Sequence, residues 1–228
     1  RDIGVTGSSD VCSSDFKKKL NLPKASEVPI AKQYLEKRKL DPEKFYFADK
    51  FKEWTNTQKP TFETVGRDES RIIIPMYDTD GNLIGFQGRS LGPSTNKYIT
   101  VMLSDDVPKI YGLDNVNLDL QVYITEGPFD STFISNSVAL CGADGDIKKI
   151  GINDPIWVYD NEPRNLEIIK RIEKCINCGD KVIIWPKNIQ QKDINDMVIA
   201  GHMVMDVLKS STYQGLEAKV KFIEWKKV

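Results

Sequence analysis

Gln121-Val-Tyr-Ile-Thr-Glu-Gly-Pro-Phe-Asp130 and Pro155-Ile-Trp-Val-Tyr-Asp-Asn-Glu162 are the stretches on which the fold turns. Each is a short run of β-branched and aromatic residues that ends on acids, and each is followed by a segment with helical spacing. Working outward, strands are expected at 121–125, 137–141, 156–160, 181–186 and 219–225, with helices near 129–136, 163–177 and 195–209. Such alternation implies an α/β domain with a mainly parallel sheet, whose chemistry collects at the carboxyl ends of its strands. Three acidic clusters leave that edge: Glu126 to Asp130, Asp160 to Glu162, and Asp193 to Asp196. Crowded carboxylates repel one another unless a cation neutralises them, and hard oxygen ligands suit Mg²⁺ or Mn²⁺. The pattern predicts a divalent-cation site for phosphate chemistry.

Upstream the grammar differs. Ile30, Tyr34 and Leu35 stand at helical spacing behind Pro29, and Asp41-Pro42 ends that helix. Phe45, Tyr46, Phe47, Phe51 and Trp54 follow at irregular spacing; of two readings, stacking on unpaired bases and packing of a small core, the second is favoured. Arg71-Ile-Ile-Ile-Pro-Met-Tyr77, the turn-forming Asp78-Thr-Asp-Gly-Asn82 and Leu83-Ile-Gly-Phe-Gln-Gly-Arg89 predict a β-hairpin, with a further strand over Tyr98–Met102. The expected organisation is an atypical segment at 1–15, a smaller α+β basic subdomain at 16–117, the parallel-sheet domain at 118–210, and a C-terminal strand and tail at 211–228.

Bulk properties narrow the function classes. With 228 residues, 40% hydrophobic and 29% charged, the chain has room for a sizeable core. The formal net charge of −1 gives no global positive field, so any nucleic-acid contact must use a local patch. The apolar runs are far shorter than a membrane span needs. No signal-peptide pattern is found, and a cytoplasmic setting is expected. Four cysteines suggest no disulfide framework. Cys175-Ile-Asn-Cys178 lacks the second ligand pair of a structural zinc site and reads as helix packing. Ser8-Ser-Asp-Val-Cys-Ser-Ser-Asp15 resembles a translated sequencing adapter, with a natural tail as the alternative, and is set aside with Cys12.

Glu126-Gly127 after the first strand, the Asp160-x-Glu162 pair after the third and the intervening turn Cys141-Gly-Ala-Asp-Gly145 resemble the TOPRIM fold of DnaG-type primases, topoisomerases and certain nucleases. Glu162 stands where that pattern has a second Asp, keeping the charge with one more methylene. The segment 71–89, then Asn96-Lys-Tyr98, then Pro108-Lys-Ile-Tyr-Gly-Leu113 resembles in order the basic subdomain that precedes TOPRIM in DnaG-type primases. Ala31-Lys-Gln-Tyr-Leu-Glu-Lys-Arg38 and Lys192-Asp-Ile-Asn-Asp196 also match, the latter as in phage primases.

The resemblance spans roughly 28–200 and implies a primase core that makes short RNA primers on single-stranded DNA. It implies Glu126, Asp160 and Glu162 as catalytic metal ligands, with Asp130 and Asp193 in support. It places Arg71, Arg89, Lys97, Lys109 and Lys192 along the groove for template and ribonucleoside triphosphate, where basic side chains neutralise phosphates without reading sequence. The implied cofactor is Mg²⁺ or Mn²⁺, with zinc only in a domain upstream of this chain. A replicative helicase is the implied protein partner, and the host cytoplasm the location if the gene is phage-borne. The rivals are a TOPRIM nuclease or topoisomerase, or a non-catalytic nucleic-acid-binding TOPRIM module. The ordered segment over 71–113 and the intact acids favour the primase.

Overall fold

The computed structural model describes residues 20–104, 107–142 and 147–228. Its first half is organised by a hairpin whose turn is built by one side chain. The Asp78 carboxylate accepts from the backbone N–H groups of Asp80 and Asn82 and from the Asn82 side chain, while Gly81 takes φ +76°. The hairpin joins strands β2 (Arg71–Tyr77) and β3 (Leu83–Ser90). With β1 (Tyr46–Ala48) and β4 (Tyr98–Met102) they form an antiparallel sheet in the order β1-β2-β3-β4. Pro75 is tolerated in β2 because β1 pairs only with Arg71 to Ile73, so the missing Pro75 N–H faces no ladder partner on that side.

Register sorts the side chains of this sheet. Ile72, Arg89 and Tyr98 pair across one row, and Ile74, Gln87 and Thr100 across the next, so these six share one face. The opposite face carries Ile73, Phe86 and Val101 and packs on helix α2 (Phe51–Gln58). There Gly88 is required by close approach: a Cβ would sit 2.4 Å from the Phe51 ring. Helix α1 (Pro29–Lys37) buries Ala31 and Leu35 beside Phe45. Phe45 and Phe51 are fully buried, in keeping with the packing expectation for these aromatics.

The second sheet has the order β6-β5-β7-β8-β9, from β5 (Val122–Thr125), β6 (Ser137–Ala139), β7 (Pro155–Val158), β8 (Lys181–Ile183) and β9 (Thr212–Tyr213). The first four run parallel and β9 is antiparallel. A four-residue helix α3 (Pro128–Ser131) follows β5, shorter than the expected 129–136. Helix α4 (Leu166–Cys178) buries Ile168, Ile169, Ile172, Cys175 and Ile176 on one face, is N-capped by Asn165, and stops at Gly179 with φ +80°. The helix expected at 195–209 is two, α5 (Ile194–Ile199) and α6 (Val204–Ser210), broken where Gly201 takes φ +85°.

The strand expected at 219–225 is corrected: Gly215–Trp225 is helix α7, and the strand within 211–228 is the short β9. Lys219-Val-Lys-Phe222 alternates like a strand, but Ala218, Phe222 and Trp225 also stand at helical spacing, and those three are buried against the sheet's core. The sheet edge is already occupied by β9, so helical packing wins.

The sheets meet through Met76, Ile84 and Met102 on one side and Ala139 and Cys141 on the other, with Tyr111 and Ala139 exchanging backbone hydrogen bonds. The atypical segment 1–15 and most of the turn Cys141–Gly145 lie outside the described residues. Among the described residues no helix is long and apolar enough to cross a membrane.

Candidate active site

The carboxyl ends of β5 and β7 open toward the Gln87, Tyr98 and Thr100 face of the first sheet, leaving a cleft of about 390 Å³. One wall carries Glu126, Asp130, Asp160 and Asp193; the other carries Gln87, Lys97, Tyr98 and Thr100. A cavity of about 410 Å³ elsewhere along the seam has Lys24, Lys44 and three tyrosines, but Asp114 is its single carboxylate, and it lacks the acidic wall.

Each acid is held differently. Glu126 accepts a 3.0 Å hydrogen bond from Arg171 of α4, which also binds Glu167. Burial pushes the Glu126 carboxyl above its ordinary range and Arg171 partly offsets this. Asp160 is pushed up to about 6, first by burial and then by the charge of Glu126. Asp130 is pushed up to about 7 by burial and by Asp193. Its carboxylate accepts from the Asn195 backbone N–H at 3.0 Å, and Asp193 caps the same helix through the Asp196 N–H. Glu162 accepts from the Asn165 side chain at 3.2 Å, and Lys192 lies 3.3 Å from Glu162 and 3.6 Å from Asp160.

The basic residues divide. Lys97 stands at the cleft, where burial and the neighbouring charges of Arg89, Arg38 and Lys192 hold its ammonium below the ordinary lysine range. Arg89 is buried behind it, donating to the Tyr34 hydroxyl at 2.9 Å and lying 4.5 Å from the Tyr98 ring centroid. Arg71 is only 1% exposed and does not reach the cleft. It pairs with Glu69 and donates to the Gly88 and Asn96 carbonyls, pinning the segment before β4. Lys109 is exposed and does not line the cleft.

No protein-family model matches the chain. It is 34% identical over 214 residues to the DNA primase of Enterobacteria phage T4, covering 90% of this chain and 62% of that protein. Over that span the chain is homologous to the phage DNA primase. Its fold is that of DnaG-type primase catalytic cores. The E. coli primase catalytic core superposes with a TM-score of 0.63 at 20% identity, covering 89% of this chain and 79% of that one. A DnaG primase catalytic domain bound to single-stranded DNA gives 0.63 at 20% identity, over 89% and 78%. The Aquifex aeolicus primase, with its zinc-binding and RNA polymerase domains, gives 0.62 at 21%, over 84% and 58%.

Several residues that shape the cleft stand outside the site residues implied by the sequence. Arg171 stands 45 residues from its partner Glu126. Buried Asn195 exchanges hydrogen bonds with Arg38 across the two halves, through its side-chain oxygen at 2.9 Å and its amide at 2.7 Å. Asn161 sits between Asp160 and Glu162 but turns away from the cleft. Its amide donates to the Ile189 and Gln191 carbonyls and its oxygen accepts from Trp225, tethering the loop that presents Lys192 and Asp193. Gln87 is the exception that register could have found, since it faces the cleft two residues before Arg89. Its amide donates to Thr100, and its oxygen is buried with no partner among the described residues.

The donor set fits a hard divalent cation. Four carboxylates share one cleft, and Asp130 and Asp160 are raised above ordinary acidity first by burial and then by their acidic neighbours. Among the described residues no three acidic, imidazole or thiolate groups form a ready-made cage. A hard ion such as Mg²⁺ is commonly held by one or two carboxylates and completed by water and phosphate oxygens.

Proposed function

We propose that this chain is the polymerising core of a DNA primase, joining ribonucleotides into short RNA primers on a single-stranded DNA template. The observation that carries the reading is the pairing of walls: strand-end acids on one side of a single cleft, and Lys97, Tyr98 and Gln87 on the other. The chain spans about 62% of the phage relative's length, and the homology over that span supports the assignment.

In the reaction the 3′-oxygen of one nucleotide forms a bond to the α-phosphorus of the next, and the bond to pyrophosphate breaks. Glu126, Asp160 and Glu162 would hold Mg²⁺ or Mn²⁺, with Asp130 and Asp193 in support. When bound, the cation supplies Lewis-acid stabilisation of the charge that builds on the transferring phosphate. Arg171 orients the Glu126 carboxylate, and Lys192 pairs with Asp160 and Glu162. Lys97 offers its ammonium to the triphosphate, Arg89 reinforces it from behind, and the exposed Lys109 extends the basic track for template. Arg71 acts on this wall indirectly, by pinning the segment that carries Lys97. In this division of labour 16–117 supplies the basic wall and 118–210 the acidic one. A primase of this kind works with a replicative helicase in the cytoplasm, the host's if phage-encoded; the single-stranded DNA complex of a DnaG catalytic domain supports the choice of template.

Incorporation of labelled ribonucleotides on single-stranded DNA with Mg²⁺ or Mn²⁺ tests the proposal. Polymer is expected from the wild-type chain, and none from Glu126→Gln or Asp160→Asn with their folds intact. Degradation of the template would point to a nuclease, and full synthesis by either variant would refute the site assignment.

A further inference from the structure

We infer that Lys192 is a built-in competitor of the divalent cation, holding Asp160 and Glu162 until the cation displaces it; the inference rests on the reading of the cleft as a cation-dependent polymerase site. The Lys192 ammonium lies 3.6 Å from Asp160 Oδ2 and 3.3 Å from Glu162 Oε1. A hard cation and an ammonium therefore make the same claim on the same oxygens. The backbone of the lysine is fixed, because its carbonyl accepts from the Asn161 N–H at 2.6 Å while the Asn161 side chain holds the Gln191 carbonyl. Its side chain is 54% exposed, so the ammonium on its flexible four-carbon stem has open solvent to move into once released.

The surroundings give the displaced ammonium a destination. Lys192 lines the same cleft as Lys97. A triphosphate that brings the cation also brings the anion that a released lysine can meet. Lys192 thus lowers affinity for a cation arriving alone and favours one arriving with nucleotide. Arg171 differs, since it grips Glu126 from α4 and is itself shared with Glu167.

The test is Mn²⁺ binding to the full chain without nucleotide, read by calorimetry and by the electron paramagnetic resonance signal of free Mn²⁺. Lys192→Met and Lys192→Gln should bind Mn²⁺ about three- to tenfold more tightly, the range expected from losing two partly exposed ion pairs. Lys192→Arg, which keeps the charge, should bind as wild type does, as should Lys187→Met outside the cleft. Unchanged or weaker binding by both neutral variants overturns the competition. If Asp160→Asn binds Mn²⁺ as wild type does, the cation site itself is misplaced and the underlying reading falls. If Asp160→Asn loses binding while the neutral Lys192 variants stay unchanged, only the competition is overturned.

Discussion

Replacing Asp130 by Asn should stabilise the protein at neutral pH when divalent cations are chelated, and the gain should disappear in acid. The Asp130 carboxyl is raised from an ordinary value of 3.8 to about 7, chiefly by burial and then by Asp193. Between those limits the folded chain keeps a proton that the unfolded chain has lost, so stability falls as pH rises. The stabilising term is fully present below about pH 4 and is lost as pH climbs through 7. The gap is roughly 3 pH units, and at about 1.36 kcal/mol for each the ceiling is roughly 4 kcal/mol. Asp130 borders the cleft and keeps an Asn195 N–H, so partial solvation should reduce the realised effect to about 1–2 kcal/mol. Asn is isosteric and its oxygen can still accept that bond. Urea unfolding at pH 4.5, 6 and 8 with chelator should show wild type losing stability faster than Asp130→Asn, with the curves converging in acid. An Asp130→Asn protein that is less stable by the same amount at every pH would refute the electrostatic account. Asp160, raised to about 6, adds a smaller effect of the same sign.

Two further changes probe how the cleft is supported. Gly88→Ala would place a Cβ 2.4 Å from the Phe51 ring and should cost about 1–3 kcal/mol in urea unfolding; Phe51→Leu in the same chain should recover part of that loss, and an unchanged midpoint for Gly88→Ala alone would contradict the packing. Asn161→Ala removes the tether on the loop bearing Lys192 and Asp193, so primer synthesis should fall and stability drop by about 1–3 kcal/mol; full activity at normal nucleotide affinity would show that the loop needs no such support.

The acids at the strand ends were legible because a parallel sheet leaves a plain record: apolar runs of strand length that stop on Glu126 and Asp160, with helices between them. The hairpin was legible for a similar reason, since Asp78 to Asn82 carry the turn chemistry within five consecutive residues. Local signals failed where two periods fitted one segment. Residues 219–225 alternate like a strand, yet the burial of Ala218, Phe222 and Trp225 made them a helix, and that choice depended on β9 already closing the sheet edge.

What the sequence by itself determined was the alternation of strands and helices from residue 122 to 199, the TOPRIM-like pattern and which carboxylates follow the strand ends. Tertiary structure alone decided the partners: Arg171 on Glu126, Asn195 bridging to Arg38, and Lys192 between Asp160 and Glu162. It also separated Arg71, sealed under its own loop, from Lys97 at the cleft, although both read alike as basic residues flanking one hairpin. The reason is that a strand's end is a local property of the chain. The neighbour of a charged side chain is set by how distant elements pack, and it fixes whether that charge is spent on structure or left for chemistry.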